Sequence, residues 1–105
     1  PAGRQFSWVL EAMNERAPLM ATSEIEARFS EEALRQVTAD ALLRELRFWH
    51  ERYESHTFVG LQGPSTPLSL AARIVTPTTD EGIVTVVVEA EPPHKITQWY
   101  VRPAQ

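Results

Sequence analysis

The apolar residues of this chain change their period once, near Ser55, and that change constrains the fold more than any motif does. Before it they recur three and four residues apart, which places them on one face of a helix. After it they alternate, which is the spacing of a half-buried strand. Phe6, Val9, Leu10 and Met13 make one such stripe and predict a helix that ends near Asn14, before Pro18. Ser23 followed by Glu26 reads as a capping box opening a short second helix that buries Ile25 and Phe29. Ser30 with Glu31 and Glu32 restarts the helix, because acidic residues in a first turn suit the helix dipole, and Leu34 and Val37 then face inward. Thr38 caps a longer helix over residues 39–54 with a stripe of Leu42, Leu46, Trp49, His50 and Tyr53, in which Leu46 and Trp49 are the expected core anchors.

Strands are expected over residues 56–62, 68–75, 83–90 and 95–102, with prolines and glycines falling between them and loops short enough for an antiparallel meander. Leu68, Leu70, Ala72 and Ile74 share one face of the second strand, and Val84, Val86, Val88 and Ala90 share one face of the third. These faces are expected to meet the helices. Ser69, Ala71, Arg73 and Val75, with Thr85, Val87 and Glu89, fall on the opposite face, which is too mixed for a core and too apolar to be fully solvated. Helices followed by strands, rather than alternating with them, indicate an α+β domain with helices on one face of a curved antiparallel sheet of about four strands. The 105 residues have room for one domain, with helices over about 4–54 and strands over about 56–102.

Composition removes several classes of function. Ten basic against fourteen acidic side chains give a net charge of -4, the wrong sign for a sequence-independent nucleic-acid surface. With no cysteine there is no disulfide framework, thiolate metal site or cysteine nucleophile. The longest apolar run, residues 83–88, is interrupted by Thr85 and is far too short to span a bilayer, so no membrane insertion is expected, and no signal peptide is visible.

The chemistry-bearing patterns are equally sparse. The one lysine, Lys95, has Pro92 three residues before it, so no serine-lysine pair of the Ser-x-x-Lys type exists. The Gly63-Pro64-Ser65-Thr66-Pro67 run has proline beside its serine and lies between two expected strands, so it reads as a turn rather than a nucleophile elbow. No glycine-rich phosphate loop occurs. His50, Tyr53, Glu54 and His56 form the densest polar cluster, but a histidine and a carboxylate one helical turn apart are common in helices, and a hydrogen-bonded, partly buried histidine is the better expectation than a metal ligand. A proton-abstracting pocket needs a carboxylate base facing a tyrosine, for which Glu89, Asp40, Tyr53 and Tyr100 are the available pieces. The residues thus nominate no catalytic group, cofactor or metal, and leave a candidate pocket lined by Trp49, His50, Tyr53, Glu89 and Trp99.

Three stretches carry a family resemblance: Gly3-Arg4-Gln5-Phe6-Ser7-Trp8-Val9-Leu10 with Asn14, Ile25-Glu26-Ala27-Arg28-Phe29-Ser30, and Glu91-Pro92-Pro93-His94-Lys95-Ile96-Thr97 with Val101-Arg102-Pro103. Together they resemble the N-terminal domain of secreted actinobacterial serine hydrolases of the β-lactamase type. The resemblance covers nearly the whole chain, and its Pro-Pro-His-x-Ile-Thr element followed by Arg-Pro is the most specific part. It implies an NTF2-like, or cystatin-like, fold of the steroid-isomerase type and a noncatalytic accessory role. It also implies a secreted or cell-envelope location and a C-terminal serine hydrolase domain as partner, whose serine and lysine would lie beyond Arg102-Pro103. Nine arginines against one lysine suit a GC-rich actinobacterial genome. The fold it implies often dimerises, and the mixed sheet face makes a homodimer through the sheet the second expected partner. The alternative is a small-molecule pocket protein or isomerase or cyclase-like enzyme, with Tyr53, Glu89 or His50 in its cavity.

Overall fold

A computed structural model describes residues 1–16, 20–53 and 55–103. Helix α1 (Ala2–Glu11) runs into a π-helical turn over Ala12–Arg16 and is followed by α2 (Thr22–Arg28), α3 (Glu31–Gln36) and α4 (Ala39–Tyr53). Strands β1 (Thr57–Leu61), β2 (Ser69–Val75), β3 (Glu81–Val88) and β4 (Ile96–Pro103) then form one antiparallel sheet in the order β1-β2-β3-β4. The α+β architecture and the change of period at Ser55 therefore stand. Residue 54, the expected last residue of the long helix, lies outside the described residues.

Local signals account for most helix boundaries. Ser30 caps α3 by accepting from the Ala33 N–H at 3.1 Å, and Thr38 caps α4 by accepting from the Ala41 N–H at 3.2 Å. The α2 start differs from expectation. The helix begins at Thr22, so its cap is Ala21, two residues before Ser23, and the Glu24 carboxylate accepts from the Ala21 N–H at 3.3 Å. That is the carboxylate half of a capping box. The alanine side chain has no oxygen to supply the other half. Val37 also departs: α3 ends at Gln36, so Val37 leaves the helical stripe and stands 43% exposed.

The core forms between the helices and the sheet face carrying Ala72, Ile74, Val84, Val86 and Val88, packed with Phe6, Val9, Met13, Ile25, Phe29, Leu42, Leu43 and Leu46. Register explains the choice of face. Ala72 opposes Val84 and Leu70 opposes Val86, so both strands turn the same alternating set toward the helices. Ala90 lies beyond the end of β3 and is exposed. The opposite face aligns Ser69 with Val87, Ala71 with Thr85 and Arg73 with Ile83, and none of these residues joins the core. Ile83 is nonetheless buried there, between its ladder partners Arg73 and Arg102.

Two connections position the ends of the sheet. The link between α2 and α3 pairs with β4, where the Ser30 N–H donates to the Ile96 carbonyl at 2.8 Å. After β3 the chain turns through a cis Pro92-Pro93 bond, and His94 adopts a positive φ of 59°. Neither proline has an N–H to give a ladder, so the sheet resumes only at Ile96.

Candidate functional site

An open cleft of about 420 Å³ lies between the C-terminal end of α4 and the end of the sheet formed by the start of β3 and the last residues of β4. Trp49, Tyr53 and His56 form one wall, Ile74, Gly82 and Val101 contribute apolar surface, and Thr76, Asp80, Glu81 and Arg102 bring polar groups. The absence of a side chain at Gly82 shapes this cleft. A Cβ there would sit 3.3 Å from the Arg102 carbonyl oxygen and 3.5 Å from Val101 Cγ1, so any larger residue crowds this part of the sheet.

The aromatic wall is built on α4 and the loop after it. Trp49 and Tyr53, one helical turn apart, stack with ring centres 5.7 Å apart, and His56 meets both rings edge-on at 6.3 and 5.9 Å. A polar clamp fixes the histidine. Asn14, in the π-helical turn, accepts from the His56 backbone N–H at 2.6 Å and from its Nδ1 at 3.0 Å, and its Nδ2 donates to the His56 carbonyl at 2.9 Å. Because the Asn14 oxygen can only accept, Nδ1 carries the proton and Nε2 is left as an acceptor. His56 is 3% exposed, and burial, aided by the positive charge available at His50, holds its pKa below the ordinary 6.5. The imidazole is therefore neutral at pH 7.

Two buried nitrogens of this wall have no hydrogen-bond partner: the indole N–H of Trp49, a donor, and Nε2 of His56, an acceptor. On the opposite rim, Thr79 holds a positive φ of 64° in a turn tied together by Thr76, Thr78 and Asp80. The Asp80 carboxylate accepts from Thr78 Oγ1 at 2.8 Å, while the Glu81 carboxylate accepts from Arg73 at 2.8 Å. Both acids are thus held by neighbours.

The residues nominated from sequence do not converge on one place. Trp49 and Tyr53 share the cleft. His50 turns toward the π-helical turn, with Nδ1 3.2 Å from the Met13 carbonyl, and is not part of the lining. Glu89 follows β3 at the far end of the sheet, about 23 Å of strand from Gly82. Its carbonyl lies 2.9 Å from His94 Nδ1. Trp99 lies in a separate groove of about 280 Å³ between α3 and β4, with Phe29 and Leu42. Trp49 is half-buried beside the cleft and packs on the edge of the core, whose fully buried centre on α4 is Leu46. Among the described residues, no three His, Asp or Glu side chains come together in a way that could hold a metal ion. No described helix is long and apolar enough to cross a membrane.

Sequence reasoning weighed His56 only as a metal ligand and did not single out its clamp, Asn14. The two are 42 residues apart, and two of their three bonds join side chain to backbone, which leaves no periodic trace. Proximity of the helix end to an aromatic pair was the only available signal.

Compared with known families, residues 1–92 match the family described as ORF 12 gene product N-terminal. No curated protein and no solved structure matches the chain closely enough to count as similar.

Proposed function

We propose, from the premise that this chain belongs to the ORF 12 gene product N-terminal family, that it is a noncatalytic accessory domain which packs against a serine hydrolase domain of the β-lactamase type. The family's description carries this reading, because it designates the N-terminal part of a gene product rather than an activity. The sequence resemblance supplies the rest: an NTF2-like form of the α+β fold, a secreted or cell-envelope protein, and a hydrolase as the neighbour. The chemistry of the cleft agrees with a supporting role. Its histidine is oriented by an amide rather than a carboxylate, and the lining holds no serine or lysine.

Packing against a neighbour also gives the outer sheet face a use. Ala71, Thr85 and Val87 lie on it half-buried, Tyr100 is exposed, and among the described residues no helix packs on that side of the sheet as part of the core. The test is hydrolysis of a chromogenic β-lactam and of a nitrophenyl ester by the isolated chain. No turnover beyond background is expected. Turnover that survives repurification and is lost in His56→Gln, or in any other single substitution, would overturn the accessory role.

A second reading, a pocket protein of the isomerase or cyclase kind, draws on the cleft itself, whose wall carries a neutral histidine beside two aromatic rings. Catalysis of that kind would use His56, not Glu89 or His50, as the base.

A further inference from the structure

We propose that the free edge of β4 pairs with the same edge of a second copy of this chain, the two strands running antiparallel about a two-fold axis at Tyr100. The inference holds whether or not a hydrolase packs on the outer sheet face, which edge pairing leaves open. β4 ends the sheet, so among the described residues one side of its backbone has no neighbouring strand. Only its first residue is covered there. The Ile96 carbonyl accepts from the Ser30 N–H at 2.8 Å, and Phe29 bridges to Ile96 as a single extended residue before Ser30 caps α3 and the chain turns away. The row beyond Ile96 is a template for another strand.

The ladder fixes which groups stand in that row. The Val88 N–H donates to the Leu68 carbonyl at 2.9 Å, so along β3 Val88, Val86, Val84 and Gly82 turn their backbone groups to β2. Val87, Thr85 and Ile83 turn theirs to β4, where their partners are Gln98, Tyr100 and Arg102. Trp99 and Val101 are therefore left with both N–H and C=O directed out of the sheet. Pro103, next in the row, has no N–H and closes it. A second copy meets this row in one register: Trp99 of each copy opposite Val101 of the other exchanges both bonds, and every free group finds a partner. The other edge strand, β1, is less suited, because a bulge between Phe58 and Gly60 interrupts it, whereas the irregularity of β4 lies before the row begins.

The same register suits the side chains. Tyr100, 47% exposed, faces its own copy across the axis, and Gln98 stands opposite Arg102, so no like charges meet. On the helix side of the sheet, Val101 of the second copy comes beside Trp99, at the groove formed with Phe29, Ala33, Val37 and Leu42, whose lining carries no charged residue. The two sheets then join into one, with the helices of both copies on the same side.

The chain has no cysteine, so a single introduced thiol reports the register. At the axis the two Tyr100 positions form a non-hydrogen-bonded pair with Cα atoms about 4.5 Å apart, within the span of a disulfide. Two Gln98 positions lie about 14 Å apart in this register, too far to bridge. Under copper-phenanthroline and air, Tyr100→Cys is expected to give a covalent dimer, while Gln98→Cys and Val87→Cys, the latter on the outer face, stay monomeric. In sedimentation velocity the unmodified chain should pass from monomer to dimer as its concentration rises. Val101→Pro removes the edge donor without taking a bond from β3 and should weaken that dimer by about tenfold or more, because symmetry deletes two hydrogen bonds. A chain that stays monomeric up to about 1 mM would overturn the proposal, as would association unchanged in a folded Val101→Pro variant. Cross-linking of Gln98→Cys or Val87→Cys as readily as Tyr100→Cys would overturn it too. If Val101→Pro does not fold, the cysteine pattern and the concentration dependence decide.

Discussion

Replacing Asn14 with alanine tests the contact that joins the two halves of the chain. The Asn14 amide makes three hydrogen bonds to one residue: two accepted, from the His56 N–H at 2.6 Å and from Nδ1 at 3.0 Å, and one donated to the His56 carbonyl at 2.9 Å. Alanine leaves all three partners unmet at a site where His56 is almost fully buried. An unmet buried group costs about 1–3 kcal/mol, and taking the low end for each gives about 3 kcal/mol. The better helix propensity of alanine returns only about 0.5 kcal/mol, so the net expectation is a loss of about 2.5 kcal/mol. Small domains have urea slopes of about 1–3 kcal/mol/M, so the unfolding midpoint should fall by roughly 1–2.5 M with the slope unchanged. Asn14→Asp keeps the two accepting positions and loses only the donor, so it should recover more than half of the loss. An Asn14→Ala midpoint equal to that of Arg35→Ala, which touches only the exposed Glu31–Arg35 pair, would refute the clamp.

Leu46→Ala should cost about 2–5 kcal/mol in the same urea experiment, whereas Trp49→Phe should cost clearly less because the indole stands at the edge of the core; the reverse order would move the centre of the core. The pH profile follows from His56. Its folded pKa lies below the ordinary 6.5, so the unfolded chain binds more protons between those two values, and stability is full above 6.5 and falls as pH drops toward the folded value. Melting temperatures should therefore decline across that window in the native chain and decline less in His56→Gln; parallel profiles would remove the histidine from the explanation. On the outer sheet face, Val87→Glu should leave the melting temperature of the isolated chain within a degree or two but weaken any association through that face in sedimentation experiments. Unfolding of that variant would mean that Val87 belongs to a core.

The fold was largely legible because its signals are local and periodic. The stripe from Phe6 to Met13, the caps at Ser30 and Thr38, and the alternation along β2 and β3 each follow from the geometry of one element. The departures lie where an offset of one or two residues decides the outcome. Capping α2 at Ala21 instead of Ser23 moves the carboxylate contact from Glu26 to Glu24, and ending α3 at Gln36 puts Val37 outside. Leu43 is not legible from that pattern because the buried face of α4 is wider than the stripe of Leu42, Leu46, Trp49, His50 and Tyr53.

The site was less legible because it depends on where elements end relative to one another. Alternation can say which way Glu89 points but not that it stands a full strand length from Tyr53. Helical spacing groups His50 with Trp49 and Tyr53, yet His50 rotates toward Met13 while the other two meet His56. The Asn14 clamp has no sequence period at all.

The accessory role is tested most directly by reading the coding frame beyond Gln105 in the natural gene. An in-frame segment of hydrolase length containing Ser-x-x-Lys is the expected result. A stop codon close behind Gln105, with no separately encoded hydrolase that binds this chain, would contradict it and leave the cleft as the domain's function.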